Sequence, residues 1–303
     1  MRFADPKNDL AFKKIFGDVH HKNILISFLN AVLDFSDGQT IVDVSLANPY
    51  QIPKIPELKE TILDIKATNQ IGETFIIEMQ KKDVGDFAKR SLYYTSKAYI
   101  SQLPKGNDYT VLNKVYFIGI VNFTIFDNAS FISRHLIINT ETNTQDLNDF
   151  EFSFIELPKF TKELEELHTH LDKWIYFIKN ASDLTVIPQQ YQTIHEFQEA
   201  FTIATQTTWD KQELEIYDYI SLKEFDELNA LRTAEKKGME KGMKKGMEKG
   251  MEKGRDEGRE EGKVQGEQHA KLEIAKNLLD ILDNQTIALK TGLDEEVIEG
   301  LRK

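Results

Sequence analysis

Apolar and polar residues alternate on both sides of a short polar break within residues 62–80. In ILDIKA, Leu63, Ile65 and Ala67 alternate with Ile62, Asp64 and Lys66; in TFIIEMQ, Phe75, Ile77 and Met79 alternate with Thr74, Ile76, Glu78 and Gln80. A period of two is a strand pattern, and two such runs joined through Asn69-Gln70-Ile71-Gly72 predict a β-hairpin. With an odd loop centred on Ile71, Leu63 faces Met79, Ile65 faces Ile77 and Ala67 faces Phe75, which completes an apolar face. The same register sets Asp64 opposite Glu78. A two-residue turn would shift the pairing by one and send the two carboxylates to opposite faces.

Helical spacing governs the chain around this hairpin. Leu10, Phe12, Ile15 and Phe16, then Ile24, Leu25, Phe28, Leu29, Val32 and Leu33, predict a helix interrupted near Gly17, with Asn8 or Asp9 as its N-cap. IVDVSL reads as a short strand, and the proline-spaced NPYQIPKIPELKE as an extended surface segment. Asp86 opens a helix, DFAKRSLYYTSKAYISQL, on which Arg90, Tyr94, Lys97 and Ser101 share a face. VYFIGIVNF is apolar on both sides, as a central strand covered by helices would be. HLIIN and FEFSFIEL predict two further strands around the turn-rich TETNTQDLND. From Phe160 three amphipathic helices are expected: FTKELEELHTHLDKWIYFIKN, TIHEFQEAFTIATQ and DKQELEIYDYISLKEFDELNALRTAE. This order of elements predicts an α/β fold.

From Gly238 to Gly266 glycine returns every fourth residue, eight times. Each glycine costs about 1 kcal/mol relative to alanine in a helix. Two readings fit: a flexible, charge-balanced linker, or a helix whose glycines let a second copy approach closely. A four-residue period exceeds 3.6, so any supercoil would be right-handed. The tail reads as a helix, a short helix, a turn at Gly292 and a helix capped by Asp294. Its TIALKTGLDEEVIEGL is helix-turn-helix-like, but phosphate would repel the acidic last helix, so docking or dimerisation suits it better.

Composition narrows the class. The 303 residues are 40% hydrophobic, which excludes disorder throughout, and the absence of cysteine excludes disulfides and thiolate zinc sites. The start, MRFADPKNDLAFKK, has no apolar signal core, and no apolar run approaches the ~18 residues of a membrane span. A soluble, cytoplasmic protein with no membrane partner is expected. The net charge is −12, yet residues 1–110 carry 14 Lys plus Arg against 14 Asp plus Glu. The net charge argues mildly against a nucleic-acid partner, but the acidic surplus lies downstream, and the hairpin sits in a neutral segment that a bound metal would make locally positive.

The hairpin also carries the candidate chemistry. Carboxylates paired across two strands have Cβ atoms roughly 4.5 to 5.5 Å apart and destabilise the sheet. A hard divalent cation held by their oxygens and by water would offset the repulsion, and so would protonation of one carboxyl. Asp9 can reach such a metal or cap its helix. Arg90, beside Tyr94, can hold a phosphate or stand as a solvated arginine next to a half-buried tyrosine. Adjacent His20 and His21, and His168 and His170 two residues apart, face different ways and make poor co-ligands.

Four pieces in this order, NDLAFKKIFG, LDIKA, the strand ending IIEMQ, and FAKRSLYYTSKAY followed by QLPKGNDY, resemble the PD-(D/E)XK nuclease family, in its branch of transposases and Rpn-type recombination-promoting nucleases. The resemblance spans residues 5–160, and the glycine tetrads and TIALKTGL tail are also typical of such chains. It implies a restriction-endonuclease-like central mixed sheet flanked by helices and followed by a helical C-terminal region. It implies a catalytic set of Asp64, Glu78 and Gln80, with Gln80 in the place of the family-wide lysine. Asp64 and Glu78, joined by Asp9, would bind Mg²⁺, with Mn²⁺ or Ca²⁺ as alternatives. Lys66, on the Asp64 face, could supply the missing positive charge, and Lys66, Arg90 and Tyr94 are candidates for contacting the substrate phosphate. The implied activity is metal-dependent hydrolysis of DNA phosphodiesters with little sequence preference, linked to recombination, mobile elements or defence.

The expected organisation is a nuclease-like domain over 1–158, a helical region over 159–233, the glycine-tetrad linker or helix over 234–267 and a small helical tail over 268–303. A homo-oligomer formed through the C-terminal region is expected. The alternative class is a catalytically degenerate nuclease-fold protein that serves interaction or assembly, a reading suggested by Gln80 and the acidic balance. A transposase in the strict sense would need a basic DNA-reading element, which the sequence does not display.

Overall fold

In the computed structural model, which describes residues 1–35, 39–47, 50–51 and 61–302, the chain opens with two helices, α1 (Asp9–Phe16) and α2 (Lys22–Leu33). Asn8 is the N-cap of α1, its side-chain oxygen accepting from the Leu10 and Ala11 N–H groups, which leaves Asp9 in the first turn with its carboxylate free to act elsewhere. Strands β1 (Val44–Leu46), β2 (Tyr50–Gln51), β3 (Thr61–Ile62), β4 (Ile65–Asn69) and β5 (Thr74–Gln80) follow, then helix α3 (Phe87–Ser101). Strands β6 (Val115–Val121), β7 (Ile132–Leu136) and β8 (Phe150–Glu156) complete the sheet region. Helices α4 (His170–Asn180), α5 (His195–Ala204), α6 (Lys211–Leu278), α7 (Asn284–Thr291) and α8 (Glu295–Leu301) end the chain.

Six strands form one mixed sheet in the order β1-β4-β5-β6-β8-β7. β4 and β5 are the antiparallel hairpin, β5 pairs parallel with β6 and β6 with β8, and antiparallel β1 and β7 lie at the edges. A parallel neighbour needs a crossover, and α3 supplies it between β5 and β6. Together with the helices on its two faces, this is the restriction-endonuclease-like sheet that the sequence leads one to expect.

The hairpin has the odd-loop register: Ile65 pairs with Ile77 and Ala67 with Phe75. Asn69 sets the turn by accepting the Ile71 and Glu73 N–H groups on Oδ1, and Gly72 takes a positive φ of 90°, where a side chain would be strained. One expectation fails here. Leu63 does not continue the apolar face of Ile65 and Ala67; the strand breaks at Leu63-Asp64, and Leu63 joins the opposite core with Ile76 and Phe117.

The sheet separates two cores. On one face Phe75, Ile77, Tyr116, Ile118 and Ile120 are covered by Phe12 and Phe16 of α1, Phe28 of α2, Trp174 of α4 and Phe201 of α5. On the other, Ile76, Val115, Phe117 and Phe154 meet Phe87 and Ala98 of α3. β6 is buried at all seven positions, as a strand covered on both sides must be.

Other boundaries move for local reasons. The helix predicted from Phe160 begins at His170, because Thr169 and Asp172 form a capping box there. Two 3₁₀ turns, Leu157–Lys159 and Leu164–Glu166, fill the stretch before it, so His168 lies outside the helix. β7 starts at Ile132, three residues before HLIIN, which extends beyond the end of this half-exposed edge strand. Most of the proline-spaced segment falls outside the described residues.

The chain divides into two units, Met1–Glu224 and Phe225–Lys303. The first holds the sheet and helices α1 to α5. In the second, the glycine-tetrad segment is helical within α6, and a small core of Ala275, Ile287 and Ile298 joins α7 and α8 to its end.

Candidate active site

Where β4 pairing stops, the two facing carboxylates take over. The Asp64 N–H donates to Glu78 Oε1 at 3.2 Å, and the Met79 N–H donates to Asp64 Oδ2 at 2.7 Å. Each carboxylate therefore accepts an N–H from the opposite strand, so the acidic pair replaces a rung of the ladder that its own bulk and charge interrupt. Both residues are largely buried. Burial is the main cause that raises the Asp64 pKa to about 6; the Met79 N–H and Lys13 oppose it, while Asp9 adds to it. Burial and then the Asp64 charge push Glu78 well above the ordinary glutamate range. Two acidic groups held this close, with their negative charge undercompensated, favour either a proton or a cation.

The first helix brings a cation. Lys13 Nζ lies 2.7 Å from Asp9 Oδ1, an i,i+4 pair, and 3.8 Å from Asp64 Oδ1. Its positive charge is felt by Glu78 as well. In the sequence Lys13 is marked only by its position one helical turn after Asp9 in NDLAFKKIFG.

α3 brings the other cation. The Arg90 guanidinium donates to Gln80 Oε1 at 3.2 Å and sits over the Phe87 ring, 5.2 Å from its centroid. Its Nε is buried with no hydrogen-bond partner among the described residues. Tyr94 is half-buried beside it, its hydroxyl pKa raised by burial and by the Glu78 charge. Lys97 turns instead to the Tyr93 ring at 5.9 Å, and the Ser101 hydroxyl bonds back to the Ala98 carbonyl at 2.7 Å. The shared face predicted for α3 thus contributes Arg90 and Tyr94 to the site.

Lys66 stays apart from the pair. Among the described residues its ammonium makes no hydrogen bond or ion pair, and burial alone lowers its pKa. Lys81, directly after Gln80, is tied to Asp5 Oδ2 at 3.0 Å and Glu224 Oε2 at 2.9 Å. The cations near the carboxylates therefore come from the helices, Lys13 and Arg90, and not from the strands. Elsewhere, His21 pairs with Glu199 at 2.6 Å. Buried Glu156 pins a loop by accepting the Ile125 N–H at 2.6 Å and pairing with Lys159 at 2.7 Å.

No three His, Asp or Glu side chains among the described residues gather into a metal cage. The donor set at the hairpin is all oxygen, two carboxylates that share undercompensated charge. That fits a hard cation that keeps several waters and takes only one or two protein carboxylates, as Mg²⁺ does.

A family model described as PD-(D/E)XK nuclease family transposase matches residues 6–234. No curated protein matches the chain. No solved structure matches it.

Proposed function

The chain belongs to the PD-(D/E)XK nuclease family transposases, and from that premise we propose that it is a metal-dependent DNA endonuclease of low sequence specificity, acting in recombination, mobile-element movement or defence. The observation that carries this reading is the mutual N–H capture of Asp64 and Glu78, which fixes two buried carboxylates side by side at the end of β5.

In this reading Asp64 and Glu78 hold Mg²⁺, or Mn²⁺ or Ca²⁺, with Asp9 at the rim. A divalent ion so held supplies a Lewis acid and an acidified water to phosphodiester hydrolysis. Both carboxylates must be ionised to hold it. Gln80 accepts from Arg90 through Oε1, so its amide N–H₂ end is directed away from the guanidinium and can orient a phosphate oxygen or the attacking water. The Arg90 guanidinium, held by Gln80 and fixed over Phe87, neutralises phosphate charge. Tyr94 and Lys66 are more distant contacts for the DNA backbone.

We place the nuclease-like domain at 1–158, its supporting helices at 159–233, and self-association in 234–303, where the glycine row of α6 has open space beside every Cβ position. Among the described residues no helix is long and apolar enough to cross a membrane, and we assign the protein to the cytoplasm. The test is nicking of supercoiled plasmid by the purified protein with Mg²⁺, Mn²⁺ or Ca²⁺. Activity no higher than that of Asp64→Ala rejects the nuclease assignment.

The reading as a non-catalytic interaction protein is favoured by one observation, the Lys13 ammonium already beside Asp64. Calorimetry that finds no divalent-ion binding would support it.

A further inference from the structure

Three acidic side chains from two elements, Asp9 of α1 with Asp64 and Glu78 of the hairpin, act on one ammonium, that of Lys13. The contacts are unequal: 2.7 Å to Asp9 Oδ1 and 3.8 Å to Asp64 Oδ1. Lys13 is therefore anchored at the rim and leans toward the buried pair without a short bond to it. Its side chain is 38% exposed and that of Asp9 51%, against 19% for Asp64. The ammonium can swing into solvent on its four-carbon stem without opening the core. The backbone of α1 need not move, because Asn8 and not Asp9 caps it.

The other cations cannot play this part. Arg90 is engaged with Gln80 and stacked over Phe87, and Lys81 is held by Asp5 and Glu224. Lys13, held by Asp9 and only loosely by Asp64, is a positive charge at a point where negative charge converges, which is also where a second, stronger cation would be drawn.

We propose that Lys13 is a built-in, exchangeable counter-ion of Asp64 and Glu78: it steadies the pair in the metal-free protein, and a divalent cation binds by displacing it. This rests on the metal-binding reading of those two carboxylates. Removing the Lys13 charge should then have two opposite effects. The metal-free protein loses a stabilising partner, while the metal loses a competitor.

Calorimetric titration of Mn²⁺ into EDTA-stripped, dialysed full-length protein tests this, with wild type, Lys13→Met, Lys13→Gln and Lys13→Arg compared. Lys13→Met is expected to bind Mn²⁺ about tenfold more tightly than wild type. In EDTA it should unfold several degrees lower, a loss that Mn²⁺ restores. Lys13→Gln keeps a polar contact to Asp9 without the charge and carries the same expectation if the Met variant folds poorly. Lys13→Arg should stay near wild type in both measurements. Wild type and Lys13→Met binding Mn²⁺ equally well would overturn the exchange and leave the nuclease reading standing. Mn²⁺ binding by the uncharged variants alone would uphold the exchange and count against a metal-dependent wild-type enzyme. No binding by any variant would overturn both.

Discussion

Glu78 accepts the Asp64 backbone N–H through Oε1 at 3.2 Å, so a candidate metal ligand is also the structural partner of the strand it faces. The charge and the hydrogen-bonding capacity of this carboxylate can therefore be separated by substitution. Glu78→Gln keeps an acceptor for the Asp64 N–H and removes the charge, and it should fold normally while nicking falls about a thousandfold or more. Asp64→Ala should lose activity to the same extent, and EDTA should abolish nicking by wild type. Plasmid nicking assays beside circular dichroism spectra check all three.

The pH dependence of stability follows from the same pair. The Asp64 pKa is raised from 3.8 to about 6 in the folded state. A carboxyl raised on folding stabilises the protein below its unfolded pKa, and that contribution is lost as pH rises through the folded value. The difference corresponds to on the order of 3 kcal/mol. Asp5, Asp172 and Glu199, all shifted down, lose their contributions only below their ordinary pKa range. Urea unfolding in EDTA should therefore show higher stability at pH 5 than at pH 8, and Asp64→Asn should flatten that slope.

The Arg90–Gln80 hydrogen bond predicts coupling. Arg90→Ala and Gln80→Ala should each lower the nicking rate about 10- to 100-fold. If Arg90 acts partly by orienting the Gln80 amide, the double variant should lose less than the product of the two single losses. Rates measured at saturating Mn²⁺ for all four proteins complete the cycle.

Gly119 links the core to the site. It pairs with Glu78 across β5 and β6, and a Cβ there would lie 2.8 Å from a Phe87 ring carbon and 3.0 Å from one of Phe117. Gly119→Ala must push Phe87 aside, and Phe87 carries Arg90 on its face. Thermal unfolding should show a loss of about 1–3 kcal/mol, with activity falling further than stability alone explains.

In α6 the eight regularly spaced glycines have no atom within 4 Å of an added Cβ. Gly246→Ala with Gly250→Ala should raise helicity, each by about 1 kcal/mol of helix stability. Leucine at the same two positions should weaken self-association, read by sedimentation, if the glycines serve close approach between copies.

The hairpin was legible because one short alternation and one turn decide its register, and Ile65 opposite Ile77 follows from local sequence alone. The buried run of β6 announced a central strand in the same way. Leu63 was not legible: its alternation points to one core, but the acidic pair breaks the strand and sends it to the other. The helix start at His170 depended on a capping box between Thr169 and Asp172, which competes with an apolar spacing that runs on upstream. The roles of Asp64, Glu78 and Gln80 remain proposals that the geometry supports. Lys13 stayed hidden because its partner Asp64 is 51 positions away in the chain, and spacing on α1 shows only Asp9.

The turn from Asn69 to Glu73 has an implication for how such a site can change over generations. Substitutions at Gln70 or Ile71 alter exposed or partly exposed side chains and leave the register intact. Insertion or deletion of a single codon there would move Asp64 to the far side of the sheet from Glu78. Residue identity is free to drift at the exposed tip, while Asn69 and Gly72 hold the turn, and the loop length has to change two codons at a time.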